Sequence, residues 1–162
     1  MSLEQLGKNG TNGCVAPGLH DEVIQNIGTT TRQLLPEESG SLILLDAATQ
    51  ITITLPTPVI GMMFDFVTTV SVTASDTHKV ITKTIATEFL IGGVLSANLT
   101  LASSGDFFVA DGSTHVAIES NGSTTGGLVG GTFRVTAIST TQWAITGVIC
   151  GSGTNLDPFA TS

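Results

Sequence analysis

With 162 residues and 16.6 kDa, the chain has the length of one domain that buries roughly two thirds of its unfolded surface, needing neither disulfide nor metal to fold. It is 41% hydrophobic but only 11% charged, with 19 glycines and abundant Thr and Ser, a composition of strands and tight turns rather than of helical surfaces. Five Lys+Arg against thirteen Asp+Glu leave a formal net charge of -8, which argues against a nucleic-acid partner and against anionic membrane surfaces.

Residues 1–21 intersperse Gly7, Gly10, Gly13, Pro17 and Gly18 with isolated apolar residues Leu3, Leu6, Val15 and Leu19. Such a stretch cannot form its own core. It reads either as a disordered terminus or as an extended N-terminal arm that orders on a neighbouring subunit, with those four residues as its anchors. Residues 22–162 then read as a single β domain.

The first β-like unit covers Val23 to Ile27 and Thr29 to Leu35, halted by Pro36 and turned by Glu37-Glu38-Ser39-Gly40. Ser41 to Asp46 is a nearly continuous apolar run. Gln50 to Leu55 alternates cleanly, Ile51, Ile53 and Leu55 against Thr52 and Thr54, before Pro56 and Pro58 end it. Met62 to Thr73 reads as one long half-buried strand, with Phe64, Phe66, Val70 and Val72 on one face. Lys79 to Ala86, Phe89 to Ile91, Asn98 to Leu101, Phe107 to Ala110 and His115 to Glu119 follow as shorter strands bounded by turn residues.

A glycine-rich loop, Asn121 to Gly131, precedes a final hairpin of Thr132 to Ile138 and Gln142 to Cys150. Phe133 and the single tryptophan, Trp143, supply apolar bulk there; Trp143 reads as core, with a binding platform as the alternative. The tail from Gly151 carries one apolar anchor, Phe159. About ten strands and no convincing helix predict an all-β fold, an antiparallel β-sandwich or β-barrel, with Phe64, Phe66, Phe133 and Trp143 in its core.

Reactive chemistry is sparse. His20, His78 and His115 lack ligand-spaced neighbours, and Cys14 and Cys150 lie at opposite ends without a Cys-x-x-Cys pair, so both read as free thiols. Gly126-Gly127-Leu128-Val129-Gly130-Gly131 lacks the Lys-Ser/Thr ending and the following helix of a phosphate loop. Glu37, Glu38, Asp106 and Asp111 are spread over turns, and 5% aromatics with no Tyr gives sugars little to stack on. The expectation is a non-enzyme with no catalytic residue, no metal and no cofactor. The opening Met-Ser-Leu-Glu-Gln-Leu lacks a secretion-signal pattern, and no 18-residue apolar run exists, so a soluble, non-exported chain is expected.

Several segments taken together resemble a known group. Thr31-Arg32-Gln33-Leu34-Leu35, Glu38-Ser39-Gly40-Ser41, Leu45-Asp46, Thr54-Leu55-Pro56 and Gly61 are similar to a run in small virion proteins of tailed phages. His78-Lys79-Val80-Ile81, Gly126-Gly127 with Gly130, Gln142-Trp143 ahead of Gly147, Gly151-Ser152-Gly153-Thr154 and Pro158-Phe159 agree with it, so the likeness spans roughly residues 30 to 160. These motifs are turn glycines, a strand-ending proline and a core tryptophan, and they specify a fold group better than a station on the particle. The resemblance implies a capsid decoration, or cement, protein of a bacteriophage: a structural protein made in the host cytoplasm that binds the major capsid protein on the outer surface of the head, clustering as a homotrimer. Head fibres and tail appendages carry similar β-domains, which leaves a host-attachment module as the alternative.

Overall fold

The computed structural model describes residues 23–24, 31–100 and 105–162. The expected arm over residues 1–21, with Leu3, Leu6, Val15 and Leu19, lies outside the described residues, as do His20 and Cys14. Among those described there is no α-helix, one 3-10 turn at Pro36–Glu38, and twelve strands: β1 Val23–Ile24, β2 Thr31–Gln33, β3 Leu42–Leu45, β4 Ile51–Thr54, β5 Met63–Thr68, β6 His78–Ile81, β7 Phe89–Asn98, β8 Gly105–Asp111, β9 Ala117–Ser120, β10 Thr132–Ala137, β11 Gln142–Gly151 and β12 Phe159–Ala160. They form a seven-stranded sheet, β1-β3-β5-β10-β11-β7-β8, and a five-stranded sheet, β12-β9-β6-β4-β2. The two sheets pack face to face as a β-sandwich; neither closes into a barrel.

Strand burial follows the two-residue period of extended chain. In β4, Ile51 and Ile53 are buried while Thr52 and Thr54 are half-exposed. In β10, Phe133, Val135 and Ala137 face the core, and in β11 Trp143, Ile145 and Ile149 do. The apolar run of β3 resolves the same way, with Ile43 and Leu45 buried and Leu42 and Leu44 half-buried on the outer face. Trp143 is 0% exposed and lies 6.1 Å, centroid to centroid, from the Phe64 ring; Phe66 and Phe133 stack at 4.9 Å.

Both sheets are mixed rather than antiparallel. Five of the ten pairings among the described strands are parallel: β1 with β3, β3 with β5, β2 with β4, β4 with β6, and β7 with β11. From β1 to β6 the chain changes sheet at every step, so strands that return to a sheet run in the same direction as the last one there. This part of the chain is a short solenoid of three coils. Turn residues between strands announced reversals; they did not reveal that the next strand crosses to the other layer instead of pairing with its predecessor.

Several strand boundaries also differ from the sequence reading. The stretch Met62 to Thr73 is extended only over β5, because Thr69 and Val70 both donate to the Leu45 carbonyl and Val72 donates to Gly127, bending the chain away. Lys79 to Ala86 stops at Ile81, where a turn closes around Glu88. Phe89 to Asn98 is one unbroken strand, running straight through Gly92-Gly93 in parallel register with Gln142–Gly151.

Candidate functional site

Among the described residues, His78, His115, Asp111, Glu38 and Asp106, which sequence reasoning weighed for chemistry, are each engaged in contacts within the chain. His78 is buried on β6, with its Nε2–H donating to the Ala47 carbonyl at 2.9 Å; burial pushes its pKa down, against backbone contacts and the carboxylates of Asp46 and Asp76. His115 Nδ1 accepts the Asp111 N–H at 3.1 Å, and its ring packs 5.7 Å from Phe159. Asp111 accepts from the Thr114 hydroxyl and from the Ser113 and Thr114 N–H groups, which hold its carboxyl well below the usual range. That is the hydrogen-bond pattern of a tight turn, not of a base awaiting a substrate.

Glu38 contacts the Arg32 guanidinium and accepts the Leu35 N–H at 2.8 Å, closing the turn at Pro36–Glu38. Asp106 accepts from Asn155 at 2.8 Å. Cys150 is a buried free thiol whose pKa is raised by burial, the reverse of an activated nucleophile. Among the described residues, no three His, Cys, Asp or Glu side chains converge to hold a metal ion. No helix among them is long and apolar enough to cross a membrane.

Glu88 is a residue that sequence reasoning missed. It is buried, and its Oε2 accepts the Lys83 and Thr84 N–H groups at 3.0 and 3.2 Å, fastening the turn between β6 and β7. Nothing in a lone glutamate beside threonines announces that role, because the bonds depend on how the turn closes.

The loop 121–131 is fastened too. Asn121 Oδ1 accepts from Ser123 and Thr125, Gly127 accepts from Val72 at 3.0 Å, and Leu128 donates to Cys150 at 2.9 Å. Gly122 is required there: its φ is +72°, and a Cβ would lie 2.1 Å from the Val72 carbonyl oxygen. The glycines therefore serve close packing of the loop against β11 and the chain after β5.

Among the described residues, what remains available to a partner is apolar surface on paired strands. Phe107 (66% exposed) and Val109 (56%) stand on the outer face of β8, and the register carries this patch across Leu95 on β7 to Val148 on β11. The Phe107 ring lies over Gly93, where a Cβ would come within 2.5 Å of its Cζ. A second apolar point sits at one end of the same sheet, where Val59 and Ile60 project from the turn before β5 beside Ile138. Basic side chains add little, since Arg32, Lys79 and Arg134 each contact a carboxylate. Of the residues singled out from the sequence, Phe64, Phe66, Phe133 and Trp143 all lie in the buried layer between the sheets. The surface patch on β7, β8 and β11 was not singled out; its signal was the alternation of Phe107 and Val109 in a strand with no basic residue. No protein family, curated protein or solved structure matches this chain.

Proposed function

We propose that this chain is a structural protein of a tailed-phage particle, a decoration protein that binds the major capsid protein lattice on the outside of the head and stabilises it. The resemblance over residues 30 to 160 supplies the particle; the surface chemistry supplies the mode of action. One observation carries the reading: among the described residues His78, His115, Asp111, Glu38 and Asp106 are engaged by hydrogen bonds within the chain, while large apolar side chains stand exposed on paired strands. Contiguous exposed apolar surface of this kind marks adhesion rather than turnover. On a repeating lattice each contact can be modest, because many copies bind at once and each bound copy stabilises the state it binds.

A fibre or tail-appendage module would grip its receptor with variable loops such as residues 121–131, and here those residues are pinned by hydrogen bonds within the loop and to the strands beneath them. The deciding experiment mixes the purified chain with expanded, undecorated heads and, separately, with host cells, and follows co-sedimentation. Saturable binding to heads, with heads surviving heat or low salt longer, is expected. Binding to cells alone would overturn the reading in favour of attachment. Deleting residues 1–20 tests the arm with Leu3, Leu6, Val15 and Leu19: weaker head binding is expected, and unchanged binding removes the arm from the contact.

A further inference from the structure

Four strands form the edges of the two sheets: β1 and β8 on the larger, β2 and β12 on the smaller. Three of them, as described, are only two or three residues long. β8 has seven residues, contains no Lys, Arg or Pro, and pairs with β7 residue for residue without a bulge. Sheet proteins ordinarily blunt a long edge with a charge, a proline, a bulge or a covering segment, because open N–H and C=O groups pair with any strand of matching register. The two acids of this edge are engaged within the chain, Asp106 by Asn155 and Asp111 by its own turn, and between them stands the most exposed phenylalanine described, Phe107.

The direction of the free main-chain groups follows from the register. Gly112 donates to the Leu90 carbonyl at 2.9 Å, so Ala110, Phe108 and Asp106 face β7 by the alternation of an antiparallel ladder. Gly105, Phe107, Val109 and Asp111 therefore aim their groups off the edge. The Asp111 N–H bears this out by reaching His115 Nδ1 rather than β7.

We propose that β8 is the contact for a second copy of this chain, the two β8 strands pairing antiparallel about a two-fold axis through Phe108 so that the two seven-stranded sheets join edge to edge. Phe108 is the midpoint of the strand, so this register sets each of the seven residues opposite a counterpart; the Asp111 N–H stays with His115 Nδ1, and the ladder bonds come from Gly105, Phe107, Val109 and the Asp111 carbonyl. It sets Phe107 opposite Val109 of the other copy, twice, on one outer face, an aromatic and β-branched pair of the kind that stabilises sheets. It also keeps the acids apart: Asp106 falls opposite Ala110 and Asp111 opposite Gly105, so a chain of net charge -8 brings no like charges face to face along the strand. Moving the axis to Val109 would set Phe107 against Asp111. At the Gly105 end, Leu156, held there by the Asn155 to Asp106 bond, widens the contact. A contact of this symmetry closes at two copies, in place of the three-fold cluster implied by the resemblance, and it stands whether or not the capsid reading holds.

The test is the mass of the full chain in solution by sedimentation equilibrium. A dimer is expected at tens of micromolar, and Val109→Lys and Val109→Pro should each weaken association at least about ten-fold, the proline because it removes an N–H that serves only the open edge. Val59→Lys, exposed elsewhere, should leave the dimer intact. Circular dichroism and Trp143 fluorescence verify the fold of each variant; should the proline variant not fold, the lysine variant carries the test. With Cys14 and Cys150 replaced by Ser, Phe107→Cys combined with Val109→Cys should cross-link the dimer on oxidation, since facing residues of a hydrogen-bonded pair lie about 5.5 Å apart at Cα. A monomer at about 100 µM, a trimer, or a dimer indifferent to both Val109 substitutions would overturn the proposal.

Discussion

Trp143 is the largest fully buried side chain, and its indole N–H meets no acceptor among the described residues. Its contribution is therefore volume and contact with Phe64. Trp143→Ala should cost about 3–5 kcal/mol, read as a drop in the urea midpoint, and Trp143→Phe distinctly less, because no hydrogen bond is lost with the indole. His78 gives a pH dependence of definite sign. Burial lowers its folded pKa below the ordinary 6.5, so on acidification the unfolded chain takes up a proton before the folded one does. Stability should be full above 6.5 and fall as the pH drops below it toward the depressed folded value. Urea unfolding between about pH 7 and pH 5 measures this, and His78→Gln should flatten that part of the profile while leaving the acid-limb contribution of carboxylates such as Asp111. At this scale the identity of core residues was legible in the sequence, because alternation marks which side chains face inward. The hydrogen-bonded burial of His78 and Glu88 was not, because the His78 partner, Ala47, is 31 residues away and the Glu88 bonds depend on how its own turn closes.

β7 shows how far an element can depart from its local signals. The sequence reading ends one short strand at Ile91, before Gly92-Gly93, and starts the next only at Asn98, yet the chain stays extended from Phe89 to Asn98 because β8 and β11 pair with it on either side. Gly92 takes φ +109°, and a Cβ there would lie 2.4 Å from the Ile145 carbonyl oxygen, so the glycine admits the neighbouring strand rather than ending its own. Gly92→Ala should destabilise the fold by more than about 1 kcal/mol, seen as a lower Tm and as faster amide exchange in β7 and β11; a neutral result would contradict the close approach. The ion pair between β5 and β10 sits at the other extreme. Arg134 makes two bonds to Asp65, at 2.7 and 2.6 Å, directly across the ladder, but its side chain is half exposed. Arg134→Ala is expected to cost no more than about 1 kcal/mol, with the loss shrinking at high salt. β4, β5 and the hairpin of β10 and β11 were visible in the sequence, since each has one buried face. The length of β7 was not, because pairing partners on both sides can hold extended a glycine pair that no local preference favours.

The whole molecule is held by pairings between strands remote in sequence: β7 with β11, β6 with β9, and the successive coils from β1 to β6. Chains whose contacts are this non-local fold slowly, and refolding followed by Trp143 fluorescence is expected in milliseconds to seconds. Microsecond folding would mean that the parallel coils are not what limits it. The sequence by itself determined the class of the protein: an acidic chain of short Thr-rich strands, with Phe64, Phe66, Phe133 and Trp143 on inward faces and its chemistry-bearing side chains scattered along the chain. Those properties are local, and a two-residue period with turn residues between strands is enough to read them. Only the tertiary structure decided which strands lie side by side, that the pairing is mixed, that the sandwich stays open rather than closing, and that β8 is the longest edge among the described strands. Strand order follows from which layer the chain enters after each turn, and crossing or pairing is chosen by burial of the whole core, a quantity no single segment contains.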